Sequence, residues 1–378
     1  RQIEARRSPG WKVWSYQVSL FRQRKTPWVL MFVSLSYQWT FLSGDIWSFI
    51  PGSLIPYVRA LAGVSGLLGV FVLGRSAGEG GLSRIQVFLF VTAVMVIALV
   101  SYSSGYLGAG TVFVGNAFFA YAVGARKLPV FSLVVFMSFL SFLNYGKSEM
   151  RSKYWQGGEA TSDLVELYSF WLNSAWTQLN SRTDEREQSA ISAFDRANLS
   201  HVFVRIVALT PHPLPYLGGK TYLDSTALFV PRILWPERPN LNTIMNELGL
   251  RYGIHTSIES TESTNISLGQ IGEAWANGGW FAVALVGMLF GCLFHSGVRA
   301  AYGQKTDTVG FLFGMTLVGV TVNVEQLAGT VLMIYYQAAV VCLILLYVFS
   351  RRIPPTSFAV SATATGTQEG EVAAVTTE

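Results

Sequence analysis

The chain has 378 residues, of which 51% are hydrophobic and only 13% charged, 27 Lys plus Arg against 22 Asp plus Glu. A soluble domain carries about 25% charge, so an ordinary cytosolic enzyme and a disordered protein are both excluded. The aromatic share of 14%, with eleven Trp, fits a membrane interface, where such side chains gather. The net charge of +5 is no nucleic-acid footprint unless it is concentrated on one face. The two cysteines, Cys292 and Cys342, both sit in apolar runs. That excludes a disulfide framework in any polar segment and a Cys ligand set for zinc. The opening at Arg1, in a basic stretch with no visible cleavable signal peptide, predicts that one or more spans precede it in a longer protein.

A helix needs about 20 mainly apolar residues to cross the hydrocarbon core. In chain order the candidate runs are 27–43, 58–74, 83–101, 105–124, 128–145, 279–298, 309–327 and 330–350. The run at 83–101 is the strongest, and 27–43 the weakest because Gln38 and Thr40 interrupt it. The connections alternate in charge. Residues 1–26 hold seven Lys or Arg, and the basic pairs Arg75/Arg84, Arg126/Lys127, Arg299/Lys305 and Arg351/Arg352 follow every second span. The intervening turns have none, apart from Arg59 at a span end, where it can snorkel. Lys and Arg mark cytoplasmic loops.

The expected fold is therefore all-α: a polytopic membrane helix bundle of about eight spans with one large extracytoplasmic segment containing amphipathic helices. Residues 1–26 form a cytoplasmic basic segment and 27–145 the first five spans. Residues 146–278 form the extracytoplasmic (periplasmic) loop domain, 279–350 the last three spans, and 351–378 a disordered cytoplasmic tail rich in Ala, Thr, Ser and Gly.

Chemistry is expected in 146–278, which has eleven basic and fourteen acidic residues and three of the four His, His201, His212 and His255. Residues 162–181 place Leu164, Leu167, Trp171, Ala175 and Leu179 at helical spacing, with Ser162 as N-cap. This helix either lies on the membrane or packs against the bundle. A weaker pattern over 189–209 stops at Thr210-Pro211. The stretch Thr210–Asn240 has six Pro and the pair Gly218-Gly219, so it is a set of rigid turns rather than one helix. Its Arg232 and Arg238 offer planar forks suited to phosphate oxygens. The competing role is pairing with Glu237 or with lipid headgroups. A short helix is expected at 241–248, ending near Gly249, and then a Ser/Thr-rich loop with Glu259 and Glu262. Glu273 falls a few residues before an apolar run, where a carboxylate is solvated by default or serves as a base at the membrane surface. Within 146–278 there is no HExxH, GxSxG or Walker A motif and no Asp-rich pair. The spans carry almost no charge, which counts against ion-coupled transport.

Four motifs carry a family resemblance: G-K-T-Y at Gly219–Tyr222, F-V-P-R-I-L-W-P-E-R-P at Phe229–Pro239, G-E-A-W-A-N-G-G-W at Gly272–Trp280, and Y-G-K-S-E-M-R-S-K-Y-W at Tyr145–Trp155. Together with the topology they resemble the bacterial Wzy-like polymerases of oligosaccharide repeat units (O-antigen and exopolysaccharide polymerases). Members usually have ten or more spans, and about eight are expected here. The resemblance implies a glycosyltransferase without a cofactor or metal, joining polyprenyl-diphosphate-linked oligosaccharides on the outer face of the cytoplasmic membrane. It implies partners in the lipid bilayer, a chain-length regulator and a flippase, and no nucleic acid. On this expectation Arg232 and Arg238 stabilise the leaving diphosphate, with Arg151, Arg205 and Lys147 as second choices. The proton acceptor is Glu273 first, then His212 and Glu262. Asp45, the acid of the first outer connection, is a further candidate, because related membrane-embedded glycosyltransferases often place a catalytic acid there. Three other readings remain open: a ligase moving finished polymer to an acceptor, a flippase or exporter subunit, and a non-catalytic envelope-assembly scaffold.

Overall fold

A computed structural model describes residues 25–45, 49–156, 163–180, 200–230, 234–235, 237–238, 241–255, 257–258, 268–304, 306, 308–321 and 325–349. Arg232, Glu262, the N-terminal segment before Lys25 and the tail 351–378 lie outside the described residues. The described structure is helical, without a β-strand. Each of the eight apolar runs falls on one helix: α1 (Thr26–Leu42), α2 (Ile55–Gly78), α3 (Arg84–Tyr102), α4 (Leu107–Ala125), α5 (Val130–Arg151), α10 (Gly269–Ala301), α11 (Val309–Thr321) and α12 (Ala328–Phe349). Between α5 and α10 come α6 (Leu164–Asn180), α7 (Ser200–Leu209), α8 (Lys220–Thr226) and α9 (Leu241–Arg251).

Among the described residues, α2, α3, α5, α10 and α12 are long and apolar enough to cross a membrane. The other three runs sit on shorter helices, α1 with 17 residues, α11 with 13, and α4, whose apolar part is Gly110–Ala125. This is a multi-pass membrane protein. Its exposed side chains agree, because Phe88, Phe131, Val135, Phe281, Met288 and Tyr347 all stand open on the long helices, as lipid-facing positions should.

Sequence chemistry explains the starts. Pro27 and Pro56 occupy the first turns of α1 and α2, where a missing N–H costs nothing. Ser83 caps α3 in a reciprocal box with Gln86. Small residues set the packing. A Cβ built at Gly78 would lie 2.4 Å from the Tyr121 carbonyl, and one at Gly124 2.2 Å from that of Arg75, so α2 and α4 touch backbone to backbone at their C-terminal ends. Gly110 of α4 meets Tyr102 and Ala98 of α3 at the opposite end. The bundle thus has a turn end, marked by the turns 79–83 and 126–129, and a loop end, marked by the turn 103–106 and the starts of α2 and α12. One core cluster joins α1 to α6, and another joins α1, α2, α4, α11 and α12.

Two helices need comment. Of the two placements open to it, α6 has the packed one. It starts at the loop end, where Tyr154 meets Glu166 and Phe170, and runs back along α5. Trp171 Nε1 donates to the Leu143 carbonyl at 2.8 Å, and Leu179 lies beside Met137 and Ser141. Gly146 permits this, since a Cβ there would sit 2.6 Å from the Trp171 carbonyl. The cap of α6 is Asp163, whose Oδ1 accepts from Val165 and Glu166 N–H; Ser162 lies outside the described residues. Helix α10 is longer than one span and breaks at Gly278–Gly279, with Gly279 at φ 58°. Its first part, 269–277, is mostly buried in protein, and the open apolar face begins at Trp280.

Candidate functional site

Helices α7, α8, α9 and the first part of α10 form a cap on the loop end. Its core contains Val202, Ile206, Ile244, Met245, Leu248, Tyr252, Leu268 and Trp275, and Leu327 from the entry to α12 joins it. Burial of side chains this size stabilises by roughly 1.5–3 kcal/mol each, so packing holds the cap together and ties it, through Leu327, to the entry of α12. Helix α9 runs through Gly249 to Arg251, two residues past the expected stop region, because the Gly249 carbonyl accepts from Ile254 and His255 N–H instead.

The Gly219–Tyr222 and Gly272–Trp280 motifs meet in the cap. The break at Gly278–Gly279 releases the carbonyls of Ala276 and Asn277, and the N–H groups of Leu217 and Gly218 take them at 2.9 and 3.0 Å. Asn277 then ties three segments together. Its Oδ1 accepts from Gly219 N–H, and its Nδ2 donates to Thr221 Oγ1 and to the Glu273 carbonyl, both at 2.8 Å. Glu273 is wholly buried, 0% exposed. Its Oε2 accepts the N–H of Ala328, the first residue of α12, at 2.7 Å, where a helix N-terminus favours negative charge. Its Oε1 is buried without a hydrogen bond of ordinary geometry, with the Thr221 hydroxyl beside the carboxyl. Ser225 of α8 packs directly on Gly329 of α12. Burial, and secondarily the Glu273 carboxyl, push the Tyr222 phenol up.

The cations around this knot are mostly in use. Arg238 donates to the carbonyls of Ala227 and Leu228, Arg205 to that of Tyr252, and Arg251 to that of Pro215. Each guanidinium therefore holds a turn in place. Lys220 pairs with Glu247 at 2.9 Å, and that carboxylate pushes its ammonium up. His255 is buried against Gly249, and burial pushes its imidazole down.

A second polar group sits at the loop end of α3 to α6. Arg151 donates to the Gly105 carbonyl at 2.9 Å and lies over the Tyr106 ring. Lys153 lies over the Tyr154 and Phe170 rings, 3.8 Å from Glu166. Tyr168 donates to the Leu99 carbonyl. Lys147 is half-buried on the same helix as Arg151.

A family model matches residues 16–322, about four-fifths of the chain, and is described as Domain of unknown function (DUF8712). The chain belongs to this family. The match includes both halves of the buried knot except for Ala328, and every candidate residue named from sequence. No curated protein and no solved structure matches the chain.

The structure divides the sequence candidates. Glu273, Arg205 and Arg238 belong to the cap, whereas Arg151 and Lys147 belong to the α5 group. His212 is exposed on the cap, on the turn after α7. Asp45 is exposed after α1, where its Oδ2 accepts from Ser43 Oγ. The expectation of a solvated Glu273 is corrected, because α8 and α12 enclose it. Arg238, whether or not it also meets Glu237 or lipid, holds the backbone carbonyls of Ala227 and Leu228. Sequence reading missed Asn277, Thr221 and Tyr222 as members of the knot. Two of them stand in the G-K-T-Y motif and the third in G-E-A-W-A-N-G-G-W, so the motifs contained the signal. Among the described residues, no three His, Cys, Asp or Glu side chains come together as metal ligands.

Proposed function

We propose that this protein is a polysaccharide polymerase of the bacterial cytoplasmic membrane, joining polyprenyl-diphosphate-linked oligosaccharide repeat units on the outer face. The observation that carries this reading is the convergence of the Gly219–Tyr222 and Gly272–Trp280 motifs on one buried polar knot, on top of a membrane bundle. The charge pattern supports the orientation. Both termini and the turn end are cytoplasmic, because the basic pairs lie there, and the cap faces outward. A lipid-linked donor carries its own leaving group, so an outward-facing enzyme needs no nucleotide sugar.

In this mechanism a hydroxyl of the incoming unit attacks the anomeric carbon of the growing chain. The bond from that carbon to the diphosphate oxygen breaks, and polyprenyl diphosphate leaves with the electron pair. Arg232 and Arg238, which stand in the Phe229–Pro239 motif, stabilise the developing charge, as the resemblance implies. A base must reach the attacking hydroxyl directly or through one water. His212, exposed on the cap, is the base in this reading, and Glu273 acts as a positioning residue that fixes the cap on α12. A ligase acting on a finished polymer uses the same groups and differs only in the acceptor.

Deletion of the chain in its host should abolish the ladder of polymer lengths and leave single lipid-linked repeat units. Restored ladders with wild-type protein, and their loss with His212→Ala, are the expected result. Unchanged ladders on deletion would remove the polymerase reading. Free polymer with a bare acceptor would replace it with the ligase.

A further inference from the structure

Helix α12 carries a continuous open stripe. Tyr336, Val340, Leu343 and Tyr347 recur at helical spacing and are all exposed, as a face toward acyl chains should be. Two turns before Tyr336 the same face reaches Gly329, and there it closes. Gly329 is buried beneath Ser225 of α8. The 3-10 turn that continues α8, Ala227–Phe229, then sets the Phe229 ring edge-on against Tyr336, with centroids 6.2 Å apart. Along these two turns of the span, the cap stands where lipid would otherwise lie.

Depth follows from helix geometry. Helix α12 has 22 residues, about 33 Å, against a hydrocarbon thickness of about 30 Å. Its first turn therefore lies near the loop-end boundary. Tyr336 follows Ala328 by eight residues, about 12 Å, so Phe229 stands below that boundary, in the outer part of the leaflet. The α8 ion pair of Lys220 and Asp224 precedes Ser225, which is level with Gly329. These charges therefore stay at the boundary or above it. The side chains that follow them are open and apolar. Leu234 is 77% exposed, and Phe229 and Trp235 are exposed too. Arg238 donates its guanidinium to the Ala227 and Leu228 carbonyls and its backbone N–H to that of Trp235, which holds Leu234 and Trp235 beside this turn. The Ser225 and Thr226 hydroxyls return to carbonyls of their own helix. These polar groups are satisfied without water, as they must be next to hydrocarbon.

We propose that Phe229, Leu234 and Trp235 form an interfacial wedge that seats the cap among the phospholipids of the loop-end leaflet, at the headgroup–acyl boundary. An apolar face bound at that boundary lies about 5–10 Å into it, close to the depth of the contact between Phe229 and Tyr336. Phospholipid is the occupant because the wedge prolongs the lipid-facing stripe of α12 without a break, and aromatic side chains favour this layer. At boundary depth the charged neighbours in sequence, Arg232 and Glu237, need only the length of their own stems to reach headgroups. The wedge does not depend on the polymerase reading.

The test uses the full chain with Cys292→Ser, leaving only buried Cys342, reconstituted in phosphatidylcholine vesicles. Phe229→Cys and Leu234→Cys are labelled with bimane and compared with lipid-facing Val340→Cys and with Thr243→Cys, exposed on α9 of the cap. The quenchers are phosphatidylcholine with a nitroxide high on the acyl chain, the same lipid with the nitroxide near the chain end, and aqueous iodide. The wedge labels should be quenched several-fold more by the high nitroxide than the Thr243 label is, and more than by the chain-end nitroxide. Iodide should quench them several-fold less than it quenches Thr243. Iodide quenching equal to that at Thr243, with no effect of the lipid nitroxides, overturns the wedge by placing it in water. Protection from all three quenchers also overturns it, because a second copy or another protein then covers the patch. The chain without these substitutions is checked in the same vesicles with a photoactivatable phosphatidylcholine. Adducts are expected on the peptide containing Phe229 and Leu234 as well as on α12, and adducts on α12 without any on that peptide overturn the proposal. Unchanged ladders on deletion of the chain would strike the polymerase reading and leave these results as they stand.

Discussion

The loop end carries two polar groups built from similar residues by opposite means. Around Glu273, acid, amide and hydroxyl are buried together, and their bonds join residues 217–221, 273–277 and 328. Around Arg151 and Lys153, the cations rest on rings and a carbonyl of neighbouring helices and stay partly open to solvent. The first group is a joint between the cap and the span α12. The second is a rim. A buried polar group without its partner costs its full desolvation, whereas an exposed charge loses little. The knot should therefore tolerate substitution badly and the rim well.

The sharpest way to break this contrast is Glu273→Ala. It leaves the Ala328 N–H buried and opens a cavity, so the expected loss is about 2–4 kcal/mol. Glu273→Gln keeps an acceptor and should lose less than half of that. Thermal unfolding in detergent, followed by exposure of buried Cys342 to a thiol dye in the Cys292→Ser background, measures both. Equal Tm values for wild type and Glu273→Ala would show that the knot is not a joint. Next in size is Gly146→Ala, which drives a methyl against the Trp171 carbonyl. A cost of about 1–3 kcal/mol is expected from overpacking, and unchanged unfolding would mean that α6 is not seated on α5 as described.

Acid should loosen the cap through His255. Burial lowers its pKa in the folded state, so the unfolded chain binds the proton first as pH falls. The associated stability is complete above the unfolded value of about 6.5 and declines as pH drops below it. A Tm that falls between pH 7 and pH 5.5, with a shallower slope in His255→Gln, is the expected outcome; identical slopes would remove His255 from the account. The smallest effect belongs to the rim. Arg151→Gln should cost about 1 kcal/mol or less, and a loss matching Glu273→Ala would erase the distinction between the two groups.

Much of the fold was legible in the sequence. Each of the eight apolar runs coincides over most of its described length with a helix. The amphipathic helix near 162–181 was visible from its spacing, although its direction was not. The site was legible only as motifs. Asn277 is one polar residue among several in its stretch, and nothing local distinguishes it. Its role follows from the break at Gly278–Gly279, which frees two carbonyls for the 217–219 turn to claim.

The sequence by itself determined that this is a helical membrane protein, because hydropathy and span length are local properties of the chain. The tertiary structure alone decided that Glu273 is enclosed, that Arg238 holds carbonyls of its own turn, and that α6 dives along α5. Whether a carboxyl meets water or a helix N-terminus 55 residues away depends on which distant surfaces close over it. Hydropathy along the chain carries no record of that.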